Sequence, residues 1–387
     1  MTTRLLPMAR LRTAVLVLVV GGGAAGLWWS RPAGPLPEAL SDEAFWALIE
    51  DLSETGGYFQ SDNLVSNEHS YQYVVPALEQ LRGAGQAYLG VAPDQNFTYI
   101  LALQPRIAFI VDIRRGNLLT HLLYKSIFEL SPDRADFLSW LFSRPRPAGL
   151  PPEASIDDLL AAFSRVRPDE LAFRDNLLTL QHHLTRTKGF DLTADDLREF
   201  DRIYSEFFTW GPDLSYSTRA GNPRAGLGRG RRFSRFPTWG QMVAATDASG
   251  VHRGYLADES AFLAIKALQE RNLIIPVVGD HTGPTALRAV GRYLARHRAS
   301  VGAFYTSNVE QYLFRYGTWD RFAQNLEALP VTDTAVIIRS VAPRDGYVGL
   351  PQGPDGRATV LDPIAALLDD VADGRVSRYR DVAGRVR

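Results

Sequence analysis

The chain has 387 residues, a length that suits one large α/β domain with an insertion, or two domains. Its composition is that of a folded protein, and 42 Lys and Arg against 43 Asp and Glu give a net charge of −1, which does not favour nucleic acid as a partner. The sequence has no cysteine, which excludes disulfides, thiolate metal ligands and cysteine nucleophiles.

The N-terminus has the pattern of an export signal or a membrane anchor. Residues 1–12 carry three arginines, residues 13–29 form an apolar run, and residues 30–40 are a proline-rich linker. Arginines before the run favour a cytoplasmic N-terminus, so we expect the body to be exported, or anchored at the inner membrane on its periplasmic side. The run suits a cleaved signal peptide as well as a spanning helix. An anchored body that faces the cytoplasm is the alternative.

Residues 41–130 are predicted to form the first part of an α/β domain. They begin with an amphipathic helix and continue as apolar strands that alternate with helices. Nearly all-apolar strands separated by helices indicate parallel pairing and burial on both faces of a sheet. The predicted strands are AYLGV (87–91) and IAFIVDI (107–113), and the predicted helices are FTYILALQ (97–104) and NLLTHLLYKSIFEL (117–130).

Residues 131–240 are predicted to be a helical insertion that ends in a loop rich in glycine and arginine. Four segments have the apolar spacing of helices, and Ser155 and Thr193 stand where N-caps are expected.

The sheet pattern resumes in residues 241–345 and is followed by a predicted C-terminal tail, residues 346–387. The later strands are LIIPVVGD (273–280), VGAFYTSN (301–308) and TAVIIRS (334–340). The whole pattern predicts an α/β fold with a doubly wound, mainly parallel sheet and a helical insertion.

Polar residues stand at the ends of four predicted strands. They are Asp94 after the first strand, Asp112 on the second, Asp280 on the third, and Ser307 and Asn308 on the fourth. In doubly wound sheets, ligands bind beyond the carboxyl ends of the strands. Asp94 and Asp112 are 18 residues apart, which resembles the spacing at which a carboxylate meets ribose hydroxyls in nucleotide sites.

These strand ends resemble those of the class I S-adenosylmethionine-dependent methyltransferase family. YLGVAPDQN stands at the place of the first family motif, IAFIVDI at the second, VVGD at the third and VGAFYTSNVEQYL at the fourth. The resemblance implies S-adenosylmethionine as the cofactor. It also implies these contacts: Gly90, Asp94 and Gln95 at the methionine part, with Asn96 beside them in the same turn; Asp112 at the ribose; Asp280 at the adenine; Ser307 and Asn308 at the transfer end.

A polar segment, SDNLVSNEHSYQ (61–72), precedes the helix that leads into the first strand. In the methyltransferase arrangement such a segment covers the cofactor pocket. We therefore name Glu68 and His69, together with Asn308, as candidate catalytic residues. A structured polar turn is the alternative explanation.

Several of these residues have a structural explanation as well. Asp112 could cap the turn that follows it, and Asp280 could form an Asx turn before the next helix. Ser307 or Asn308 could be an N-cap, with Glu310 in the first helical turn. The seven histidines lack metal-ligand spacing, so we expect no zinc site. No G-x-S-x-G, P-loop or strand-linked G-x-G-x-x-G is present.

Two functions remain. The first is a divergent methyltransferase-like enzyme that transfers a group from S-adenosylmethionine to an unknown small-molecule or lipid-linked acceptor. The second is an exported or membrane-tethered, non-catalytic Rossmann-like protein that binds or scaffolds without cofactor, because the cofactor is made in the cytosol. Either protein would contact the membrane through its N-terminal helix if that helix is not cleaved.

Overall fold

The computed structural model describes residues 34–59, 61–216, 236–342, 345 and 351–385. The predicted signal or anchor and most of the Gly/Arg-rich loop lie outside these residues. Within the described part of the chain, no helix is both long enough and apolar enough to cross a membrane.

The centre of the protein is one six-stranded sheet with the order β3-β2-β1-β4-β5-β6. The first five strands pair in parallel, whereas β6 is antiparallel to β5. The expected α/β fold with a mainly parallel sheet is therefore confirmed. The strands are β1 Ala87–Gly90, β2 Ile107–Asp112, β3 Ile274–Val278, β4 Val301–Ser307, β5 Val331–Val341 and β6 Ala358–Pro363.

Helices cover both faces of the sheet, which explains why β1, β2 and β3 are buried along their whole length and, apart from Asp112 at the end of β2, carry no charged residue. On one face α3 and α4 pack against α10, and on the other α1, α11, α13 and α14 pack in succession. The helices are α1 Asp42–Leu52, α2 Val75–Gln80, α3 Gln95–Leu103, α4 Arg115–Leu130, α5 Arg134–Phe142, α6 Ile156–Ser164, α7 Glu170–His182, α8 Ala194–Trp210, α9 Trp239–Val243, α10 Glu259–Glu270, α11 Ala286–Arg296, α12 Val309–Tyr316, α13 Trp319–Glu327, α14 Ile364–Ala372 and α15 Tyr379–Ala383.

The predicted insertion is helical, with α5 to α8 between β2 and β3. Its N-caps lie where the sequence places them: Ser155 accepts a hydrogen bond from the backbone N–H of Asp158, and Thr193 accepts one from Asp196. Helix α8 packs on α4, so the insertion extends one helical layer of the domain.

Strand β6 lies in the segment that the sequence predicted to be a tail, so that part of the prediction is wrong. Its pairing with β5 is supported by a buried ion cluster, because Arg339 on β5 contacts Glu310 at 2.7 Å and Asp362 on β6 at 2.6 Å. The sheet therefore continues to within about 25 residues of the C-terminus.

The chain reverses its direction across the sheet between β1 and β4. Strands β2 and β3 follow on one side of β1, and β4 returns to its other side. In doubly wound sheets this reversal opens a crevice beyond the carboxyl ends of the two central strands.

Candidate functional site

A cavity of about 220 Å³ lies at the carboxyl ends of β1 to β4, at the reversal of strand order. We call it the main cavity. A smaller space of about 60 Å³, the polar compartment, adjoins it. Both spaces are lined by Phe59, Asn63, Ala92, Ser307, Asn308 and Tyr312.

The loop between α1 and α2 forms the roof of the main cavity. It is attached to the strand ends by backbone hydrogen bonds from Glu54 to the carbonyl of Val278 (2.9 Å) and from Gly57 to that of Ile113 (2.8 Å). A Cβ atom on Gly57 would lie 2.7 Å from the Ile113 side chain, so a larger residue would force that side chain to move. The polar segment 61–72 follows in the same loop, and its residues 63 and 65–68 line the polar compartment.

Aromatic side chains form one wall and the rim of the main cavity. Phe59 of the roof meets Tyr312 of α12 edge to face, with ring centroids 5.2 Å apart. Tyr312 also stacks on Tyr316 at 6.5 Å. Tyr58 and Tyr316 are 87% and 67% exposed, so two large rings stand open to solvent at the entrance. Such a rim offers stacking surface to a planar ligand.

Asp112 lies at the main cavity, as predicted, but its carboxylate is already engaged. Its Oδ1 accepts from the backbone N–H (2.9 Å) and Nε (3.0 Å) of Arg114, and its Oδ2 accepts from Nη2 of Arg114 (2.8 Å) and the N–H of Ala92 (3.2 Å). Burial alone would raise the pKa of Asp112, but the charge and hydrogen bonds of Arg114 lower it overall. A carboxylate has about four acceptor positions, and all four are taken.

Arg114 is a residue that the sequence prediction missed. Besides Asp112, its Nη1 donates to the carbonyl of Asp62 in the roof. Arg114 therefore joins the end of β2 to the roof loop. Its position directly after a strand-end carboxylate, in the run DIRR, was the available signal.

Asp280 serves the predicted Asx turn and also lines the main cavity. Its Oδ1 accepts from the backbone N–H (2.8 Å) and hydroxyl (3.0 Å) of Thr282. Its Oδ2 has no hydrogen-bond partner within the described residues. One oxygen thus holds the turn while the other is available to a ligand.

His281 follows Asp280 and is buried. Its Nε2 lies 3.0 Å from the carbonyl oxygen of Val111, and its ring stacks on Phe322. Burial lowers the pKa of His281, so the ring is neutral. Among the residues that the structure describes, no group of three His, Asp or Glu side chains could hold a metal ion.

Two of the predicted site residues in and before the turn after β1, Gly90 and Asn96, do not face the cavity. Asn96 is fully buried, and its amide nitrogen lies 2.9, 3.1 and 2.6 Å from the carbonyl oxygens of Val91, Ala92 and Pro93. A Cβ on Gly90 would collide with the Asn96 carbonyl oxygen. Neither Gly90 nor Asn96 is among the residues that line the two spaces. Both residues shape the turn from within.

Asp94 also lies away from both spaces. Its Oδ2 accepts a 2.8 Å hydrogen bond from the hydroxyl of Tyr255. Burial raises the pKa of Asp94 to about 6, although the Tyr255 hydrogen bond acts in the opposite direction. The next residue, Gln95, does line the polar compartment and donates through Nε2 to the Tyr305 hydroxyl (2.8 Å).

Glu68 is the centre of the polar compartment. It is 2% exposed, and it accepts hydrogen bonds from the hydroxyls of Tyr305 (2.8 Å) and Ser307. Burial raises the pKa of Glu68, despite these hydrogen bonds. Glu68 and Ser307 thus meet at the boundary between the two spaces.

The two other candidate catalytic residues differ in position. Asn308 lines both spaces and is the N-cap residue of α12, but its side chain makes no capping hydrogen bond, contrary to the capping alternative. Glu310 pairs with Arg339 instead of capping. His69 is outside both linings, and its Nδ1 lies 3.7 Å from an Asp355 carboxylate oxygen.

Backbone strain is concentrated at this site. Among the described residues, seven other than glycine have positive φ, and three of them line the two spaces: Asn63 (47°), Ala92 (68°) and Ser307 (55°). The left-handed region costs such residues about 1 kcal/mol or more, and this strain persists mainly at functional sites. Three of the seven strained residues therefore line the two spaces, which is why we take these spaces as the candidate site.

A family model described as Domain of unknown function (DUF7790) matches residues 63–147 and 234–361, more than half of the chain. The matched segments contain β1 to β5, the first four residues of β6 and most of the cavity lining, and they leave out most of the helical insertion. No curated protein is similar enough to the chain to count as a match.

Proposed function

The chain belongs to the DUF7790 family of unknown function, and we propose from its site that it is a divergent, methyltransferase-like transferase that uses S-adenosylmethionine. The charge of the two spaces is the observation that carries this proposal. Their described lining includes the carboxylates of Glu68, Asp112 and Asp280. Arg114 is the one Lys or Arg in that lining, and Asp112 neutralises it.

This charge disfavours ligands with phosphate groups. Dinucleotide cofactors place a pyrophosphate against a glycine-rich turn, where backbone N–H groups donate to it. Here the turn contains Pro93, which has no N–H, and the side chain of Asn96 is directed at the turn's own carbonyls. A cofactor with a positive charge and no phosphate suits these residues, and S-adenosylmethionine is such a molecule.

The sheet gives a second line of support. An all-parallel sheet is usual for dinucleotide-binding domains, whereas the last strand here, β6, is antiparallel to β5. An antiparallel strand beside the fifth parallel strand resembles the methyltransferase arrangement. The likeness concerns the fold only, and the charge of the site carries the functional part of the proposal.

The residues would divide the work as follows. The aromatic wall of Phe59 and Tyr312 would contact the adenine, and Asp280 would accept hydrogen bonds through its available oxygen. When bound, the cofactor supplies an electrophilic methyl group, whose carbon bonds to the acceptor's lone pair while the C–S electrons remain on sulfur. Ser307 and Asn308 would position the acceptor at the boundary of the two spaces, and Glu68 would receive the proton that it loses.

Isothermal titration calorimetry with S-adenosylmethionine tests this proposal on the purified full-length chain. We expect binding by the native protein and at least fivefold weaker binding by Asp280→Asn, because asparagine keeps the Asx-turn acceptor but loses the charge and replaces the available acceptor oxygen with an NH₂ donor. Asp333→Asn, which changes an exposed carboxylate on β5, is the matched control and should bind normally. Absence of binding by native protein that circular dichroism shows to be folded would refute the proposal.

The Asp112–Arg114 pair favours a second candidate, a non-catalytic exported or membrane-tethered binding protein. With all four acceptor positions of Asp112 filled, ribose hydroxyls can bind there only if Arg114 or the backbone N–H of Ala92 gives up a contact. A reporter fused after residue 40 would show the compartment of the body. A body outside the cytoplasm, together with a null titration, would support this second function.

A further inference from the structure

The polar compartment is anionic. Among its described lining residues Glu68 is the one charged side chain, and the others that are polar are amides and hydroxyls. No Lys, Arg or His lines it within the described chain. A phosphate or carboxylate ligand would meet a carboxylate there without any counter-charge, so such anions are disfavoured.

Glu68 has no direct cationic partner among the described residues. Its two hydrogen bonds come from neutral hydroxyls, those of Tyr305 and Ser307. Arg357 acts on it only through space, and the guanidinium of Arg357 donates instead to Ser340 (3.0 and 3.2 Å). A buried carboxylate without a counter-ion is destabilised in its charged form, which is why burial raises the pKa of Glu68. A ligand that brings a positive charge removes this destabilisation.

The hydrogen-bond chain from Glu68 also fixes the orientation of Gln95. An ionised Glu68 only accepts, so Tyr305 donates to it, and the Tyr305 oxygen therefore accepts from the Nε2 of Gln95. The Oε1 of Gln95 is then left as an acceptor, and it has no hydrogen-bond partner in the described structure. The Oδ1 of Asn63, another lining residue, likewise has no hydrogen-bond partner in the described structure.

We propose that the polar compartment binds a primary ammonium group, with Glu68 as its counter-ion and Gln95 and Asn63 as further acceptors. An ammonium has three N–H donors, and these residues offer acceptors only. A space of about 60 Å³ suits a small head group rather than a ring system. The inference deepens the proposed function: the ammonium belongs either to the amino-acid part of the cofactor or to an amine acceptor.

Glu68→Gln is the central variant, because glutamine keeps the shape and removes the charge. Removing an uncompensated buried charge should leave the fold intact. Glu327→Gln, at an exposed position of α13, is the matched control. Asn63→Gly is a second variant, since glycine tolerates the positive φ of residue 63 and lacks the amide oxygen.

Four probes separate the two sources of ammonium, all measured by calorimetry on the full-length chain. The probes are S-adenosylhomocysteine, 5′-methylthioadenosine (which lacks the amino-acid part), n-butylamine and n-butanol. If the cofactor supplies the ammonium, Glu68→Gln weakens the binding of S-adenosylhomocysteine at least tenfold and leaves the binding of 5′-methylthioadenosine unchanged. If an acceptor supplies it, both adenosyl probes bind as before, and n-butylamine binding falls at least tenfold. In either case Asn63→Gly gives a smaller loss of the same kind.

Other results would overturn the inference or the proposed function separately. If n-butanol binds as well as n-butylamine, or if Glu68→Gln changes no probe, the ammonium site is refuted. If neither adenosyl probe binds but n-butylamine binds in a Glu68-dependent way, the ammonium site stands and the proposed function fails.

Discussion

Asn96→Ala tests whether the side chain of Asn96 stabilises the β1–α3 turn or is free to bind a ligand. Its side chain is fully buried and makes contacts on both of its polar atoms. The amide nitrogen donates towards the carbonyls of Val91, Ala92 and Pro93, and the oxygen accepts from the hydroxyl of Tyr88 (2.8 Å). An NH₂ group has two hydrogens, so one of the three carbonyl contacts is shared.

The expected loss follows from the groups that the alanine leaves behind. The carbonyl of Ala92 keeps a 3.0 Å contact with the His121 ring, and that of Pro93 keeps its 3.4 Å contact with the backbone N–H of residue 96. The substitution therefore chiefly strands the Val91 carbonyl and the Tyr88 hydroxyl. A buried polar group that loses its partner costs about 1–3 kcal/mol. We therefore expect the free energy of unfolding to fall by about 3 kcal/mol, the combined effect of two such groups.

Urea denaturation followed by circular dichroism measures this loss directly. Asn67→Ala is the matched control, because Asn67 is a partly exposed asparagine that lines the polar compartment. It should change the free energy of unfolding by less than about 0.5 kcal/mol. Equal losses for the two variants, or a loss below about 1 kcal/mol for Asn96→Ala, would refute a structural role for Asn96.

Three further substitutions test the buried charges and the strained turn. Burial raises the pKa of Asp94 to about 6 in the folded state, whereas in the unfolded chain this carboxyl loses its proton from about pH 4. The folded state therefore binds one more proton between these pH values. As a result, the free energy of unfolding falls by up to about 3 kcal/mol as the pH rises from 4 to 6. Asp94→Asn should flatten that fall in urea titrations at pH 4 to 7, and an unchanged slope would contradict it. Arg339→Met should cost about 3 kcal/mol in the same assay, because it leaves Glu310 buried without a cation and Asp362 with Arg385 alone; a loss below about 1 kcal/mol would show that the cluster is dispensable. Ala92→Gly should leave thermal stability unchanged or raise it by up to about 1 kcal/mol, since glycine relieves the positive φ; a clear loss would mean that the backbone there is not strained.

The sequence predicted most of the fold because the signals involved are local. Five apolar strands alternate with helices, and each of the five forms a parallel strand of the sheet. Strand β6 has no comparable signal, because ATVLDP contains Asp362 and Pro363 and so lacks a continuous apolar run. Its stability comes from β5 and from the ion pair of Asp362 with Arg339, which are distant in sequence. Contacts between residues so far apart in the sequence cannot be predicted from the local pattern of a short segment.

The strand-end rule located the cavity but could not give side-chain directions. Asp112, Asp280, Ser307 and Asn308 all line it, as the rule predicts. In the β1 turn, however, residues 94–96 lie at the start of α3, where successive side chains are about 100° apart. Only one of the three can face a given space. Gln95 faces the polar compartment, whereas its two neighbours are directed into the protein.

The Asp112–Arg114 pair links the two candidate functions to one structural event. Arg114 donates both to Asp112 and to the roof carbonyl of Asp62, so the same guanidinium fills the carboxylate and fastens the loop above it. A ligand hydroxyl that takes an oxygen of Asp112 must displace one of the four donors of that carboxylate, which are three N–H groups of Arg114 and the backbone N–H of Ala92. Displacement of the Arg114 side chain would also disturb its hydrogen bond to the roof carbonyl of Asp62, whereas the backbone bonds of Glu54 and Gly57 hold the roof independently of Arg114. A transferase that binds ribose at Asp112 would have to move one of these donors, whereas a binding protein without cofactor would keep the pair closed as a structural contact.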